Sequence, residues 1–363
     1  MFLKENPDST KRKNQLEYLS NTLDHFVNWY DKNKRDLPWR RFKDPYKIWL
    51  SEVMLQQTQV KTVIPYYKRW LNEFGTIQDV ANAEIDSLLK AWEGLGYYSR
   101  CRNFHRASRI IAKKYDGKIP ETYDEFIVLP GVGKYIASAV LSIAHDIKIS
   151  AIDVNLKRVY ARMLKIKRYT KYNLVRIEKL GSELVRCERP GDFNQAIMDI
   201  GSQVCRPFNP LCSVCPIRKY CKAYISGNPK GYALAVKNKK NTTKKMISVI
   251  IMIKDKFLIQ KRDDSGLLGG LWELPTIEYT SSSQDEVYTL IHNNYGKKIK
   301  ILDKLGSTKH SYSHFKVDVD LYLCTVPEKV KIKKESKWIK INEFDKYAFS
   351  KINHKLIKMV NND

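Results

Sequence analysis

Nowhere in this 363-residue chain do about 18 apolar residues run together, so no segment is long enough to cross a bilayer as a helix, and no membrane partner is expected. The opening stretch, MFLKENPDSTKRKNQ, mixes acids and bases ahead of any apolar run, which fits neither a secretory signal nor an arginine-rich transit peptide. The expected location is the cytoplasm, at a bacterial nucleoid. Internal repeats of the solenoid kind are missing too. Acids are in short supply: 39 Asp and Glu face 65 Lys and Arg, a formal net charge of +26. Such a surplus points to a polyanion such as nucleic acid, although a genome biased toward lysine, asparagine and isoleucine codons produces the same excess. Cysteine is scarce as well. Of seven, four fall between Cys205 and Cys221, while Cys101, Cys187 and Cys324 are scattered. In a reducing compartment that clustering favours a metal centre over disulfides.

What is present bounds the architecture. A hydrophobic share of 43% argues against disorder, and the length suits two or three domains. Up to about residue 225 strand signals are rare. Segments such as IWLSEVMLQQTQVKTV, KYIASAVLSIAH and ELVRCERPGDFNQAIMDIGSQV repeat apolar positions three and four apart, as helices do. Residues 226–245 hold six lysines after Pro229 and no acid, and read as a basic linker. Beyond it, MISVIIMIKDKFLIQKR and SHFKVDVDLYLCTV alternate β-branched and aromatic residues around a turn, with a helical stretch near DEVYTLIHNNYG. The expected fold is multidomain: an all-α core over 1–225, then an α+β domain over 246–363.

Cys205, Cys212, Cys215 and Cys221 are separated by six, two and five residues. Tetrahedral zinc usually pairs two CxxC knuckles, and only one is present. A cubane tolerates unequal loops because each thiolate binds a different iron, so the spacing favours one 4Fe-4S cluster while leaving zinc open. Arg206, Arg218, Lys219 and Lys222 make the same loop a candidate phosphate contact. Between two helical stretches lies Leu129-Pro130-Gly131-Val132-Gly133. Gly131 and Gly133 let the backbone turn tightly and approach a ligand, with the amides and the next helix N-terminus facing an anion. An ordinary corner between helices has the same signature; company with a basic surface and a cysteine cluster favours a DNA phosphate.

LPGVG, the later Asp153 in AIDVNLKRVYAR and the cysteine spacing together resemble the helix-hairpin-helix DNA glycosylases of the endonuclease III superfamily. Within it, DPYKIWLSEVMLQQTQV (44–60), GLGYYSRCRN (94–103) and FNQAIMDIGSQVC (193–205) resemble the adenine-specific, MutY-type branch. The resemblance implies a helix-hairpin-helix glycosylase core with an iron–sulfur cluster loop. It divides into a six-helix subdomain (about 40–150) and a cluster subdomain built from the N-terminal segment plus 151–225. The implied activity is hydrolysis of the N-glycosidic bond of adenine mispaired with 8-oxoguanine or guanine in double-stranded DNA, by a monomer.

Cutting that bond needs a proton on the departing base and a negative charge for the oxocarbenium-like sugar. Glu52 sits among apolar helix neighbours, and burial would keep its carboxyl protonated, as a general acid must be. Asp153 precedes a helical stretch, where capping is its plain role and does not conflict with a catalytic one. By resemblance, Glu52 protonates adenine and Asp153, with Asn155 nearby, stabilises or transiently bonds the sugar cation. Bifunctional lyases place a nucleophilic lysine where this chain has Tyr135, one position beyond Lys134; an endonuclease III-like lyase is therefore the secondary reading. A catalytically idle DNA-binding module would predict loss of one carboxylate, and both are present. The chain reads DVN where the family usually has DGN, so Val154 excludes the positive backbone angles open to glycine.

Base extrusion needs groups to fill the gap. The resemblance implies Gln57 beside the opposite base, Leu55 near the adenine pocket, Tyr97 as an intercalating aromatic, and Arg35, Arg40 and Gln195 in the pocket. It also implies that Ser313 and His314, behind Tyr312 where the family has phenylalanine, read the oxidised guanine. LLGGLWELP resembles the entry to a Nudix fold, but no REXXEE helix follows, so the C-terminal domain is expected to be Nudix-like without hydrolysing nucleotides.

Overall fold

The computed structural model describes residues 23–234, 242–280, 283–312, 315–330, 332 and 334–360. They form two compact units. One takes residues up to Gln78 and those from Arg106 to 237; the other takes Asp79–His105 and the chain from 238 onward.

The first unit is helical. Its site-bearing helices are Pro45–Leu55, Lys134–His145, Val154–Met163 and Pro190–Asp199. Pro45 opens its helix because a first-turn residue has no use for an N–H, and the Asp44 carboxylate accepts from the Tyr46 and Lys47 amides at 3.0 and 3.2 Å. The residues read as one helical segment from Ile48 to Val63 break in the structure: the helix stops at Leu55, and Gln57 takes a left-handed φ of 57° before Val60–Glu73 begins. A second break separates Leu184 from Pro190, since proline starts a helix well and cannot continue one. Gly191 allows the helix it opens to approach Lys134–His145; an added Cβ would sit 2.7 Å from the Ser142 carbonyl oxygen.

Phe26 and Tyr30, on the helix over 23–33, pack with Leu156, Tyr160, Phe193, Ile197 and Ile217 in one buried cluster. Phe26 meets Phe193 edge to face at 5.4 Å. After Asp199 the helix widens into a π turn, Ile200–Val204, which delivers the chain to Cys205.

The C-terminal part of the second unit is a seven-stranded mixed sheet. β1 (Thr242–Ile253) runs parallel to β6 (Phe315–Thr325), and β5 (Lys300–Ser311) pairs antiparallel with β6. On its other side β1 pairs antiparallel with β2 (Lys256–Lys261), which holds β3 (Trp272–Glu273) and β7 (Ser336–Ile339); β4 (Thr276–Tyr279) pairs with the start of β1. Side chains alternate as a strand requires. Ile247, Val249 and Ile251 meet Val287 and Ile291 of the helix Gln284–Tyr295, while Ile250 faces Ile352 and Leu356 of Lys351–Val360. β1 begins inside the stretch read as linker, because Thr242–Lys245 pair in register with Phe315–Asp318.

Candidate active site and cysteine pocket

A cavity of about 930 Å³ opens in the first unit. Glu52, Tyr135, Asp153 and Asn155 line it, as do Arg35, Arg40, Leu55, Gln57 and Gln195. Glu52 is 6% exposed on a helix whose neighbours Trp49, Val53 and Met54 are buried, and burial pushes its carboxyl up to about 7. The Tyr135 hydroxyl donates to Glu52 Oε2 at 2.7 Å, leaving Oε1 to carry the proton. Arg40 pulls the pKa the other way and Asp153 raises it further.

Asp153 caps Val154–Met163. Its Oδ1 accepts from the Asn155 and Leu156 amides at 2.8 and 2.7 Å, and its Oδ2 from Asn155 Nδ2 at 2.9 Å. Burial raises this carboxyl too, while those hydrogen bonds favour its anion. Val154 opens the helix without a positive φ, so valine fits where the family's glycine was expected, its side chain 72% exposed at the cavity. The approach to Asp153 is fixed by Asn194, which donates to Ser142 Oγ and the Ile149 carbonyl and accepts from the Ala151 amide. Arg158 donates to Asn155 Oδ1, the Gly201 carbonyl and the Cys205 carbonyl at 2.7–2.8 Å, joining the Asp153 segment to the cysteine loop.

One residue that matters here was not read from the sequence. Asp199 is fully buried and takes both cavity arginines: Arg40 bridges its two oxygens at 2.7 and 3.1 Å, and Arg35 Nε reaches Oδ1 at 2.8 Å. The available signal was spacing, since Asp199 lies one helical turn after Gln195 and shares its face.

The hairpin lies apart from the cavity lining. Gly131 takes φ 77°, Val132 and Leu129 are buried beneath it, and Gly133 faces open space at the start of Lys134–His145, with Lys134 exposed. Amides at an open helix N-terminus suit an anion. Tyr97 belongs to the second unit and also takes a left-handed φ, 48°. Arg100 braces that turn through the carbonyls of Leu95, Gly96 and Tyr97. Ser313 and His314 lie outside the described residues.

Cys205, Cys212, Cys215 and Cys221 line a single small pocket walled by Val159, Val204, Leu211 and Ile217. Among the described residues no three metal-binding side chains stand close enough to hold an ion as they are. The donor set nevertheless fits a soft metal centre: four thiols share one apolar pocket, burial pushes Cys215 up to about 12, and neighbouring cysteines add to it. An iron or zinc centre supplies the positive charge that would let these thiols ionise together. Arg162 Nη1 stands 3.2 Å from Cys205 Sγ and donates to the Arg206 carbonyl, fixing the first turn of the loop.

Comparison with known proteins yields two family matches: an HhH-GPD superfamily base excision DNA repair protein over residues 50–183, and a NUDIX domain over 247–359. The adenine DNA glycosylase of Buchnera aphidicola subsp. Baizongia pistaciae is 38% identical over 79% of this chain and 81% of its own length. That of Mus musculus is 32% identical, with 92% and 77% covered. Among solved structures, a thermostable thymine-DNA glycosylase superposes with a TM-score of 0.55 at 26% identity, covering 58% of this chain and 99% of its own.

Proposed function

This chain belongs to the adenine DNA glycosylases, base-excision repair hydrolases of N-glycosyl bonds, and on that premise we propose that Glu52 and Asp153 divide the reaction between them. One observation carries the reading: a buried, proton-holding Glu52 and a hydrogen-bonded Asp153 line the same cavity. Glu52 gives its proton to a ring nitrogen of adenine. The C1′–N bond then breaks with its electron pair on the departing base, and the sugar is left as an oxocarbenium-like cation. The Asp153 carboxylate, its charge oriented by three hydrogen bonds, stabilises that cation until water adds at C1′ and gives its surplus proton to the Glu52 carboxylate left by the first step. Tyr135 keeps Glu52 in place and offers no amine for a Schiff base, so the chain is monofunctional.

The substrate is double-stranded DNA with adenine opposite 8-oxoguanine or guanine, bound by a monomer in the cytoplasm, at the nucleoid. The Gly131–Gly133 hairpin and the basic cysteine loop hold phosphates, which fits the +26 net charge. Gln57 and Tyr97 fill the gap left by the extruded base; both hold left-handed backbone conformations, the kind of local strain that accumulates where a loop is shaped for a ligand. Gln195, Arg35, Arg40 and Leu55 surround the base. Cys205, Cys212, Cys215 and Cys221 hold one 4Fe-4S cluster, whose contribution is to fix the loop. The Nudix-like domain reads the oxidised guanine through Ser313 and His314.

The test is single-turnover excision from duplexes with adenine opposite 8-oxoguanine, guanine and thymine. Release from the first two but not the third is expected, and equal rates on all three would overturn the mismatch assignment. Asp153→Asn should bind the first duplex and release little base, through loss of charge opposite the sugar cation.

A further inference from the structure

Both oxygens of Asp199 are taken up by the arginines of the base pocket. Oδ2 accepts from Arg40 Nη1 at 2.7 Å, and Oδ1 accepts from Arg40 Nη2 at 3.1 Å, from Arg35 Nε at 2.8 Å and from Arg35 Nη2. This carboxylate is fully buried as the last residue of Pro190–Asp199, one turn beyond Gln195, and its backbone carbonyl accepts from the Ser202 hydroxyl of the π turn that follows. Burial works against the Arg40 charge, but the bonds to Asp199 outweigh it, so Arg40 is held as a cation.

That cation lines the same cavity as Glu52. Tyr135, Asp153 and Arg40 are the titratable or charged groups that act on the Glu52 carboxyl, and Arg35 and Lys157 complete the charged lining. An arginine beside a buried glutamic acid has an obvious alternative arrangement, an ion pair in which the acid is ionised. A glutamate so paired has no proton to give. Here both Arg40 Nη atoms end on Asp199 instead, and Glu52 Oε2 is held by the Tyr135 hydroxyl. Asp199 thus competes with Glu52 for the same guanidinium, and of its two arginines Arg40 is the one that acts on Glu52.

We infer that Asp199 is a positioning residue for the general acid: by engaging both guanidinium groups it keeps Arg40 from pairing with Glu52 and leaves Glu52 free to face the base. The inference rests on the reading of Glu52 as the acid. Asp199 touches no reacting atom, and its effect passes through Arg40. Without it, an unmatched positive charge favours the Glu52 anion, so the acid keeps its proton only at lower pH.

The experiment follows single-turnover excision by the full-length protein, on a duplex with adenine opposite 8-oxoguanine, as a function of pH, each variant normalised to its own low-pH rate. Wild type should lose activity above about pH 7. Asp199→Asn should move that midpoint down by roughly one pH unit, the lower end of what a neighbouring cation does to a carboxyl. Two double variants remove one cation together with the anion and so keep the charge count. Asp199→Asn/Arg35→Gln leaves Arg40 unmatched and should show the lowered midpoint; Asp199→Asn/Arg40→Gln removes the cation that acts on Glu52 and should not. This pair carries the test even where Asp199→Asn alone fails to fold. A rate lower at every pH with the midpoint unmoved, in Asp199→Asn or in Asp199→Asn/Arg35→Gln, overturns the inference and shows Asp199 to be merely structural. Equal shifts in the two doubles overturn it as well, since Arg40 would not be the agent. If Glu52→Gln releases base at the wild-type rate, the acid assignment fails and takes the inference with it; an inert Glu52→Gln beside an unmoved midpoint defeats the inference alone.

Discussion

The Tyr135 hydroxyl donates to Glu52 across 83 residues of sequence, joining the first helix after the hairpin to the helix that carries the acid. The bond fixes which carboxyl oxygen is free. It also ties the acid to the position that, in related lyases, holds a nucleophile.

Replacing Glu52 by Gln removes the transferable proton and keeps the shape, so base release should stop while mismatch binding persists. Electrophoretic mobility shifts and single-turnover assays on one preparation check this. Base release at the wild-type rate would sink the assignment.

The same carboxyl predicts two pH dependences. With Glu52 protonated up to about pH 7, single-turnover excision should fall as pH rises above that value. Stability moves in the same direction. The folded carboxyl titrates above its unfolded value of 4.5, so the native state holds the extra proton and loses stability as pH climbs from about 4.5 to about 7. Glu52→Gln escapes that loss and should gain roughly 2–3 kcal/mol over wild type between those limits, measured by urea denaturation. A constant difference across the range would contradict it.

Asp199 is the shared counter-ion of Arg35 and Arg40. Asp199→Asn leaves two guanidinium groups without it and should cost about 3 kcal/mol or more in unfolding free energy. A cost well under 1 kcal/mol would mean water replaces the carboxylate.

Anaerobically purified protein should be brown and carry about four irons per chain. Stoichiometric zinc without iron would refute the cluster. Cys212→Ser should reduce folded yield and DNA affinity more than it changes the rate per bound complex.

Because Tyr135 occupies the lyase position, borohydride should trap little covalent protein–DNA adduct. Trapping as efficient as that of a bifunctional lyase, quantified on denaturing gels, would contradict the monofunctional mechanism.

Local features were the legible ones. Glu52 could be picked out because its neighbours in WLSEVML are apolar, and Asp153 because an acid before a helical stretch is a natural cap; the structure gives both the surroundings expected. The first strands of the C-terminal domain were readable from alternation, and the helix Gln284–Tyr295 from its period. β5 was not, since its pattern is mostly exposed and its partner is set by β6. The helix Lys351–Val360 was missed although Ile352, Leu356 and Ile357 carry its stripe. Asp199 escaped because its role exists only once Arg35 and Arg40, some 160 residues away, are folded beside it. The docking of Asp79–His105 through Asp86 and Glu93 has no local signature at all.

The makeup of the second unit has a consequence for synthesis. Its first piece, Asp79–His105, is translated long before the strands that complete it, with the cysteine loop made in between. At about 5–20 residues per second the earlier piece waits roughly 12–50 seconds for Phe349 and His354, which hydrogen-bond to Glu93. During that interval Asp86 and Glu93 have none of the partners that the C-terminal residues later supply. Slowed elongation over residues 106–348 should therefore raise misfolding of this unit more than of the helical one.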